Sequence, residues 1–179
     1  MKILGISGSL RRDSYNTALL HNVPLELELW DGLKSIPPYD EDDDIEPAPP
    51  AVAEMRAAVA GADAILFATP EYNASVPGQL KNAIDWLSRP FATSVLRNKP
   101  VAVVGASTGA FGAVWAQAEL RKVLATAGAR VVEGDVAVGH AHERFDANGV
   151  LTDANLREQL QEVVDALVTE VSLREAVAA

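Results

Sequence analysis

Short apolar runs alternate along the chain with segments in which apolar residues recur every three or four positions. Uninterrupted apolar runs of five to eight residues are typical of strands that are buried on both faces of a parallel sheet. This pattern predicts strands at Ile3–Ser7, Ala64–Thr69 and Val101–Ala106. The Leu/Glu alternation of Leu25–Trp30 predicts a half-exposed edge strand, and Val131–Val138 is a fifth candidate. Strands that alternate with helices favour an α/β fold with a parallel sheet.

Helical spacing of apolar residues predicts five helices, near Tyr15–Asn22, Ala51–Ala60, Gly78–Ser88, Phe111–Ala127 and Asp153–Val171. The last helix is the clearest, because its apolar residues form one continuous stripe, and Thr152 or Asp153 can cap its first turn. The first helix has room for only about 12 Å at 1.5 Å per residue. The first crossover connection is therefore expected to be cramped.

Length and composition narrow the range of possible functions. The 179 residues predict one domain, covering residues 1–179, and the absence of cysteine excludes disulfides, thiolate nucleophiles and cysteine-ligated metals. A net charge of −10 counts against nucleic acid as a partner. The start of the chain does not resemble a signal peptide, and no stretch approaches the ~20 apolar residues of a membrane span. We therefore expect no membrane partner and a cytoplasmic location.

Two segments contain residues that could bind a metal. Residues 36–50 hold six acidic residues and five prolines, without the glycine spacing of a calcium loop, and are interpreted as a solvated linker. His140 and His142 have no further ligand cluster near them in sequence, so a role in a loop is favoured. No metal site is predicted.

The loop after the first strand, Gly8–Asn16, carries several donors for an anion. The hydroxyls of Ser9 and Ser14, the guanidinium of Arg11 and the amide of Asn16 are its polar groups. The loop lacks the glycines of a dinucleotide fingerprint and the Gly-Lys-Ser/Thr of a Walker A loop. Its side-chain donors suit a terminal phosphate monoester. The alternative is an ordinary serine cap of the following helix.

Two further loops follow the third and fourth strands. In the first of these, residues 71–75 come directly after a strand, and Tyr72 beside polar groups suits a flat heterocycle, although a simple turn remains the alternative. In the second, residues 105–112, glycines allow the backbone to approach a ligand closely. Three such loops at one edge of a parallel sheet predict a binding site there.

These loops carry a family resemblance. The motifs Gly8-Ser9-x-Arg11-x-x-Ser14-x-Asn16, Pro70-Glu71-Tyr72-Asn73-x-Ser75-x-Pro77-Gly78-x-Leu80-Lys81-Asn82-Ala83-Ile84-Asp85-Trp86 and Ser107-x-Gly109 resemble those of the NAD(P)H-dependent FMN reductases, which include bacterial quinone and chromate reductases. The match spans nearly the whole chain in the expected order. It implies a flavodoxin-like three-layer sandwich with a five-stranded parallel sheet in the order 2-1-3-4-5.

The resemblance also implies roles for individual residues. Those that would hold the FMN phosphate are Ser9, Arg11, Ser14 and Asn16, with Leu10, Arg12, Asp13 and Tyr15 as their backbone frame. Those that would border the isoalloxazine ring are Pro70, Glu71, Tyr72 and Asn73. The far side of the ring would be closed by Ser107 and Gly109. No side chain is expected to be catalytic, because the flavin carries the chemistry.

The implied activity is a ping-pong oxidoreductase cycle, in which NADPH or NADH reduces bound FMN and a quinone, free flavin or similar acceptor then takes the electrons. The resemblance also implies a homodimer or homotetramer with the flavin near an interface. Trp115 and Ala118 stand where some quinone and chromate reductases have Arg and Tyr, so the preferred acceptor and the tetramer geometry stay open. The alternative function is a flavodoxin-type electron carrier or a non-catalytic flavin-binding protein.

Overall fold

The predicted apolar runs form one parallel sheet in the computed structural model, which describes residues 1–178. Its strands are β1 (Ile3–Ser7), β2 (Glu28–Trp30), β3 (Ala64–Thr69), β4 (Pro100–Ala106), β5 (Arg130–Val131) and β6 (Ala137–Val138). They pair in the order β2-β1-β3-β4-β5, and β6 pairs with the far end of β4. The predicted order 2-1-3-4-5 is confirmed, with the fifth strand in two pieces.

The helices cover both faces of the sheet. They are α1 (Tyr15–His21), α2 (Pro50–Ala60), α3 (Gly78–Leu87), α4 (Val114–Thr126), α5 (Ala141–Arg144) and α6 (Ala154–Ala178). One core lies between the sheet and α2, α3 and α4, and the other lies between the sheet and α1 and α6. This confirms the predicted three layers. None of the helices in the described residues is long and apolar enough to span a membrane.

The fifth strand differs from its prediction because a polar segment interrupts it. Residues 132–136 leave the regular ladder, and Gly134 has a φ of 141°. The guanidinium of Arg121 donates to the Gly134 carbonyl at 2.5 Å and pairs with Asp135 at 3.0 Å. The apolar residues on either side therefore form two short strands rather than the continuous strand predicted at Val131–Val138.

Helix α4 begins three residues later than predicted. Gly112 and Ala113 both have left-handed backbone conformations, with φ of 58° and 63°, so the helix begins only at Val114. A Cβ atom at Gly112 would lie 2.3 Å from the carbonyl carbon of Ala137. The loop after β4 is thus pressed against β6, and only glycine fits at that position.

The predicted ends of the first and last helices hold with small changes. Helix α1 has seven residues, which agrees with the short helix expected from the sequence. The Asp153 carboxylate accepts from the N–H groups of Asn155 and Leu156, so the predicted cap of α6 is confirmed. Helix α6 continues past the predicted end at Val171 to Ala178. Of the predicted linker 36–50, residues 36–49 form loop with one 3-10 turn, and α2 begins at Pro50.

The topology brings three loops together at the carboxyl edge of the sheet, where β1, β3 and β4 all end. The Gly8 N–H donates to the Ala68 carbonyl at 2.8 Å, which joins the first loop to the end of β3. A Cβ atom at Gly8 would lie 2.7 Å from the side chain of Leu80. Gly8 therefore lets the first loop lie close to α3.

Candidate functional site

A cleft of about 250 Å³ opens between the three loops. It is lined by nine of the predicted site residues and two others: Ser9, Arg11, Ser14, Tyr15, Asn16, Pro70, Glu71, Tyr72, Ala106, Ser107 and Thr108. Five predicted residues lie outside this lining: Leu10, Arg12, Asp13, Asn73 and Gly109. Ala106 and Thr108 were not singled out from the sequence, although both lie in or next to the third predicted loop.

Two serine hydroxyls of the first loop shape one end of the cleft. Ser14 Oγ accepts from the N–H groups of Asn16 and Thr17 and so caps α1. Ser9 Oγ accepts from the Arg11 N–H at 3.4 Å. A hydroxyl that accepts in this way keeps its own O–H to donate. Ser14 can therefore cap α1 and still donate to an anion, so the two sequence interpretations are compatible, and Ser9 in the loop can donate in the same way.

Arg11 brings a positive charge to the same end of the cleft. Its Nη2 donates to the Asp13 carbonyl at 2.6 Å, and its guanidinium lies 5.4 Å from the centre of the Tyr15 ring. The Tyr15 ring in turn stacks on Phe145, with centroids 5.5 Å apart. Within the described part of the chain, no carboxylate forms an ion pair with Arg11. In a chain of net charge −10, this cation is placed for an external anion.

Asn16 has a structural role in addition to its place in the cleft lining. Its side chain is only 3% exposed, Nδ2 donates to the Ala106 carbonyl at 2.9 Å, and Oδ1 accepts from the Ala106 N–H at 2.9 Å. The last pair between β3 and β4 is Thr69–Gly105, so Ala106 lies one residue beyond the end of β3. The Asn16 amide satisfies the backbone that β3 leaves unpaired. One N–H of Nδ2 is used by the Ala106 carbonyl and the second is left to donate, so a phosphate contact by this amide stays a prediction.

Glu71 lines the cleft, but its carboxylate points to α4. Its Oε2 accepts from the N–H groups of Trp115 and Ala116, each at 3.0 Å. The residue before α4 is Ala113, which has no side chain that could cap the helix. Glu71 therefore caps α4 from another loop. Glu71 lines the cleft while its carboxylate bonds to the helix, and its place at the border of a flavin ring stays a prediction.

A second carboxylate, on α4, bonds back to the loop after β3. Glu119 of α4 accepts from Ser75 Oγ at 2.6 Å and from the Val76 N–H at 3.1 Å. These two donors hold the pKa of the Glu119 carboxyl below its ordinary value of 4.5. We call Glu71, Glu119 and their partners the carboxylate clasp. It fixes the loop after β3 to the first half of α4.

The carboxylate clasp predicts that Glu119 contributes to the stability of the fold in a pH-dependent way. Because the pKa of Glu119 is lower in the folded than in the unfolded protein, its charge stabilises the fold fully above about pH 4.5, the unfolded value. This stabilisation is lost as the pH falls through the lower pKa of the folded protein. Glu119→Ala should lower the melting temperature at pH 7 and speed hydrogen exchange at the Val76 N–H. The difference from wild type should shrink toward pH 3. The control is Glu158→Ala, at an exposed position on α6. A difference that stays constant down to pH 3 would contradict a role for the charge.

The residues between the two ends of the clasp form a tight turn. The N–H of Tyr72 donates to the Ser75 carbonyl, and the Ser75 N–H donates back to Tyr72, at 3.2 and 3.1 Å. Asn73 and Ala74 between them have φ of 54° and 58°. This is a two-residue hairpin turn of type I′. Tyr72 is 54% exposed and lies at the mouth of the cleft.

The third loop is held by its own backbone and by α5. Ser107 Oγ accepts from the Gly109 N–H at 3.1 Å, and the Gly109 carbonyl accepts from His140 at 2.9 Å. His140 lies in the turn before the short helix α5, in agreement with the predicted loop, whereas His142 lies inside that helix. In residues 1–178, no three His, Cys, Asp or Glu side chains lie close enough to hold a metal ion.

An exposed apolar patch lies beside the cleft, at the beginning of α4. Phe111 is 63% exposed and Trp115 is 49% exposed, and their rings meet edge to face with centroids 5.0 Å apart. Val114 between them is also exposed. We call these three residues the α4 patch. Contiguous exposed apolar groups of this kind mark interaction surfaces.

Comparisons with known proteins point to one family of flavin-dependent reductases. The family described as NADPH-dependent FMN reductase matches residues 1–143. The chain is 45% identical to an NAD(P)H-dependent FMN reductase of Pseudomonas aeruginosa, with 93% of each chain covered. It is 38% identical to a 2-hydroxy-1,4-benzoquinone reductase of a Burkholderia species, covering 92% of this chain and 93% of that protein. The flavoenzyme NAD(P)H:(acceptor) oxidoreductase FerB of Paracoccus denitrificans has a TM-score of 0.82 at 34% identity, covering 96% of this chain and 97% of that one.

Proposed function

The chain belongs to the NADPH-dependent FMN reductase family, and from this we propose how its cleft works. The protein is an FMN-dependent oxidoreductase that takes its electrons from NAD(P)H. We propose that Ser9, Arg11 and Ser14 hold the FMN phosphate. The observation that carries the proposal is the guanidinium of Arg11, which lies beside two serine hydroxyls without forming an ion pair in the described chain.

The chemistry of the lining fits a phosphorylated flat heterocycle. One end of the cleft offers two hydroxyl donors and one guanidinium, which together suit a phosphate dianion. Pro70 and Tyr72 line the cleft as well, and they supply apolar surface for a planar ring. The one carboxylate of the lining, Glu71, accepts two N–H groups of α4, which offset its negative charge.

The side chains of this cleft bind and orient rather than transfer protons. When bound, FMN supplies the redox chemistry by accepting hydride from NAD(P)H and passing electrons to an acceptor. The Glu71 carboxylate is occupied by the Trp115 and Ala116 N–H groups, so it is not placed as a general base. Tyr72 offers its ring and backbone at the mouth of the cleft. We therefore assign no catalytic acid or base.

The acceptor we propose is a quinone or a free flavin, since the named activities of the relatives include reduction of FMN and of 2-hydroxy-1,4-benzoquinone. The two substrates would use the same open mouth of the cleft in turn, in a ping-pong order. Initial rates measured at several NADPH and quinone concentrations should then give parallel double-reciprocal lines. Intersecting lines would instead show that both substrates bind together.

The test of the activity is steady oxidation of NADPH or NADH by the purified, FMN-loaded protein with a quinone, followed at 340 nm. A flavodoxin-type electron carrier would require a separate reductase and would show no sustained turnover under these conditions. The absorption spectrum of the purified protein gives the flavin content independently of turnover. A cytoplasmic location for this activity stays a prediction.

Asn73 allows a test of the ring-border role that is separate from stability. Asn73→Gly should lower FMN affinity severalfold if the side chain contacts the ring, while glycine keeps the left-handed conformation of the turn. The matched control is Ala74→Gly, which relieves an alanine at φ 58° and should raise stability by about 1 kcal/mol. Flavin titration and thermal unfolding of both variants separate the two effects. Unchanged FMN affinity in Asn73→Gly would leave Asn73 as a turn former only.

We further propose that the protein assembles as a homodimer or homotetramer through the α4 patch. Trp115 and Phe111 are aromatic residues of the kind that anchor interface centres. Light scattering at micromolar concentration should show at least a dimer for the wild type, and Trp115→Glu should shift the oligomeric equilibrium toward the monomer. The control is Leu173→Glu, a substitution at an exposed apolar residue of α6. A wild-type monomer with full activity would contradict this assembly.

A further inference from the structure

A second cavity, of about 290 Å³, lies on the other side of the first loop. It is bounded by that loop, by α1 and by the residues at and after the end of β2, and we call it the β2 cavity. Ser9 and Arg11 line both this cavity and the cleft. Because these two residues form part of the wall of each space, the β2 cavity is adjacent to the proposed phosphate site.

The lining of the β2 cavity combines a flat apolar surface with free cations. Leu29, Leu33 and the partly buried indole of Trp30 supply the apolar part. Arg12 and Lys34 are exposed at its rim, and neither forms an ion pair within residues 1–178. The mechanism proposed above uses neither of these cations.

Such a lining fits an adenosine phosphate. A purine can lie against an indole and leucine side chains, and a phosphate pairs with guanidinium and ammonium groups. Asp31 also lines the cavity and is exposed, so its carboxylate is available to accept from ribose hydroxyls. With Arg11, the lining has three cations against one carboxylate, a local charge balance that favours an anion although the chain as a whole has a net charge of −10.

We propose that the β2 cavity binds the adenosine phosphate half of a dinucleotide whose other half reaches the neighbouring cleft. This inference rests on the proposed function. Two dinucleotides carry this chemistry: NADPH, through its 2′-phosphoadenosine end, and FAD, through its AMP half. In either case, Trp30 contacts the base and Arg12 and Lys34 pair with the phosphate.

The first experiment measures binding without turnover. The FMN-loaded protein is titrated with 2′,5′-ADP and with 5′-AMP by calorimetry, in the wild type, in Lys34→Ala and in Arg12→Ala/Lys34→Ala. At least one of the two nucleotides should bind the wild type, and the double variant should bind it at least tenfold more weakly. The matched control is Lys122→Ala, which removes an exposed lysine from α4. Absence of binding by both nucleotides at millimolar concentration would overturn the inference.

The second experiment distinguishes the two sources. If the cavity serves NADPH, Lys34→Ala should raise the KM for NADPH at least fivefold and leave the KM for NADH within twofold. If it serves FAD, the wild type should bind FAD more tightly than FMN, and Lys34→Ala should remove this difference. The inference would be overturned if Lys34→Ala changed neither the KM for NADPH nor the affinity for FAD relative to FMN. FMN titration of the apo-protein checks the proposed function separately, since FMN can bind normally while the β2 cavity binds nothing.

Discussion

Replacing Arg11 with alanine is expected to weaken FMN binding by about 10- to 100-fold and to change riboflavin binding little. The two ligands differ only in the phosphate, and a hydrogen bond to a charged group contributes about 1.5–3 kcal/mol. Since 1.4 kcal/mol corresponds to tenfold in affinity, the loss should fall within that range. Arg11 has no carboxylate partner in the described residues, so its removal should leave no orphaned charge in the fold.

The measurement is a fluorescence titration of apo-protein with each flavin. Arg97→Ala is the matched control, because Arg97 is exposed and follows the 3-10 turn before β4, at the opposite edge of the sheet. Equal losses for FMN and riboflavin would show that Arg11 acts on the loop or the ring and does not recognise the phosphate. In that case the phosphate site would have to be sought elsewhere in the cleft.

The second large effect is expected for Asn16→Ala, as a loss of stability in the apo-protein. The substitution leaves the Ala106 N–H and carbonyl without partners in a buried position, at about 1–3 kcal/mol each. The free energy of unfolding should therefore fall by about 2–6 kcal/mol, a large part of the 5–15 kcal/mol of an ordinary domain. Urea unfolding of flavin-free protein measures this loss.

Two further variants sharpen the interpretation. Asn16→Asp keeps the size and one acceptor for the Ala106 N–H but places a carboxylate against the Ala106 carbonyl, so it should also be destabilising. Asn148→Ala, at an exposed asparagine in the turn before α6, should be nearly silent. A stable Asn16→Ala protein with weakened FMN binding would instead show that the side chain acts mainly as a phosphate ligand.

The centre of the sheet could be predicted from the sequence because its strands are buried on both faces. The bounds of β1 and β3 agree with the prediction, and β4 differs by one residue. At the edges, local pattern was less informative. The apolar stretch at 131–138 contains Glu133, Gly134 and Asp135, and the hydrogen bonds of Arg121 hold this segment out of the ladder. The order of the strands came from the family resemblance, since periodicity does not determine it.

The site was predictable in its loops but not in all of its contacts. Ser9, Arg11 and Ser14 act within one loop, so their proximity follows from their spacing. Asn16 and Glu71 bond to backbone groups that are 90 and 44 residues away in the chain, and no local signal marks such partners. A polar residue in a ligand-binding loop can serve the fold, and its sequence position alone does not distinguish the two roles.

The type I′ turn also bears on how the reductase could be engineered for new acceptors. A mutagenesis library would ordinarily target Asn73 and Ala74, since both are exposed at the tip of the turn. Their left-handed backbone restricts these positions largely to glycine, asparagine and aspartate, so most members of such a library would be strained. Tyr72 carries no such restriction, and its side chain lies at the mouth of the cleft. Randomising Tyr72 alone should therefore yield more folded variants, with a wider range of mouth shapes, than randomising the two tip positions.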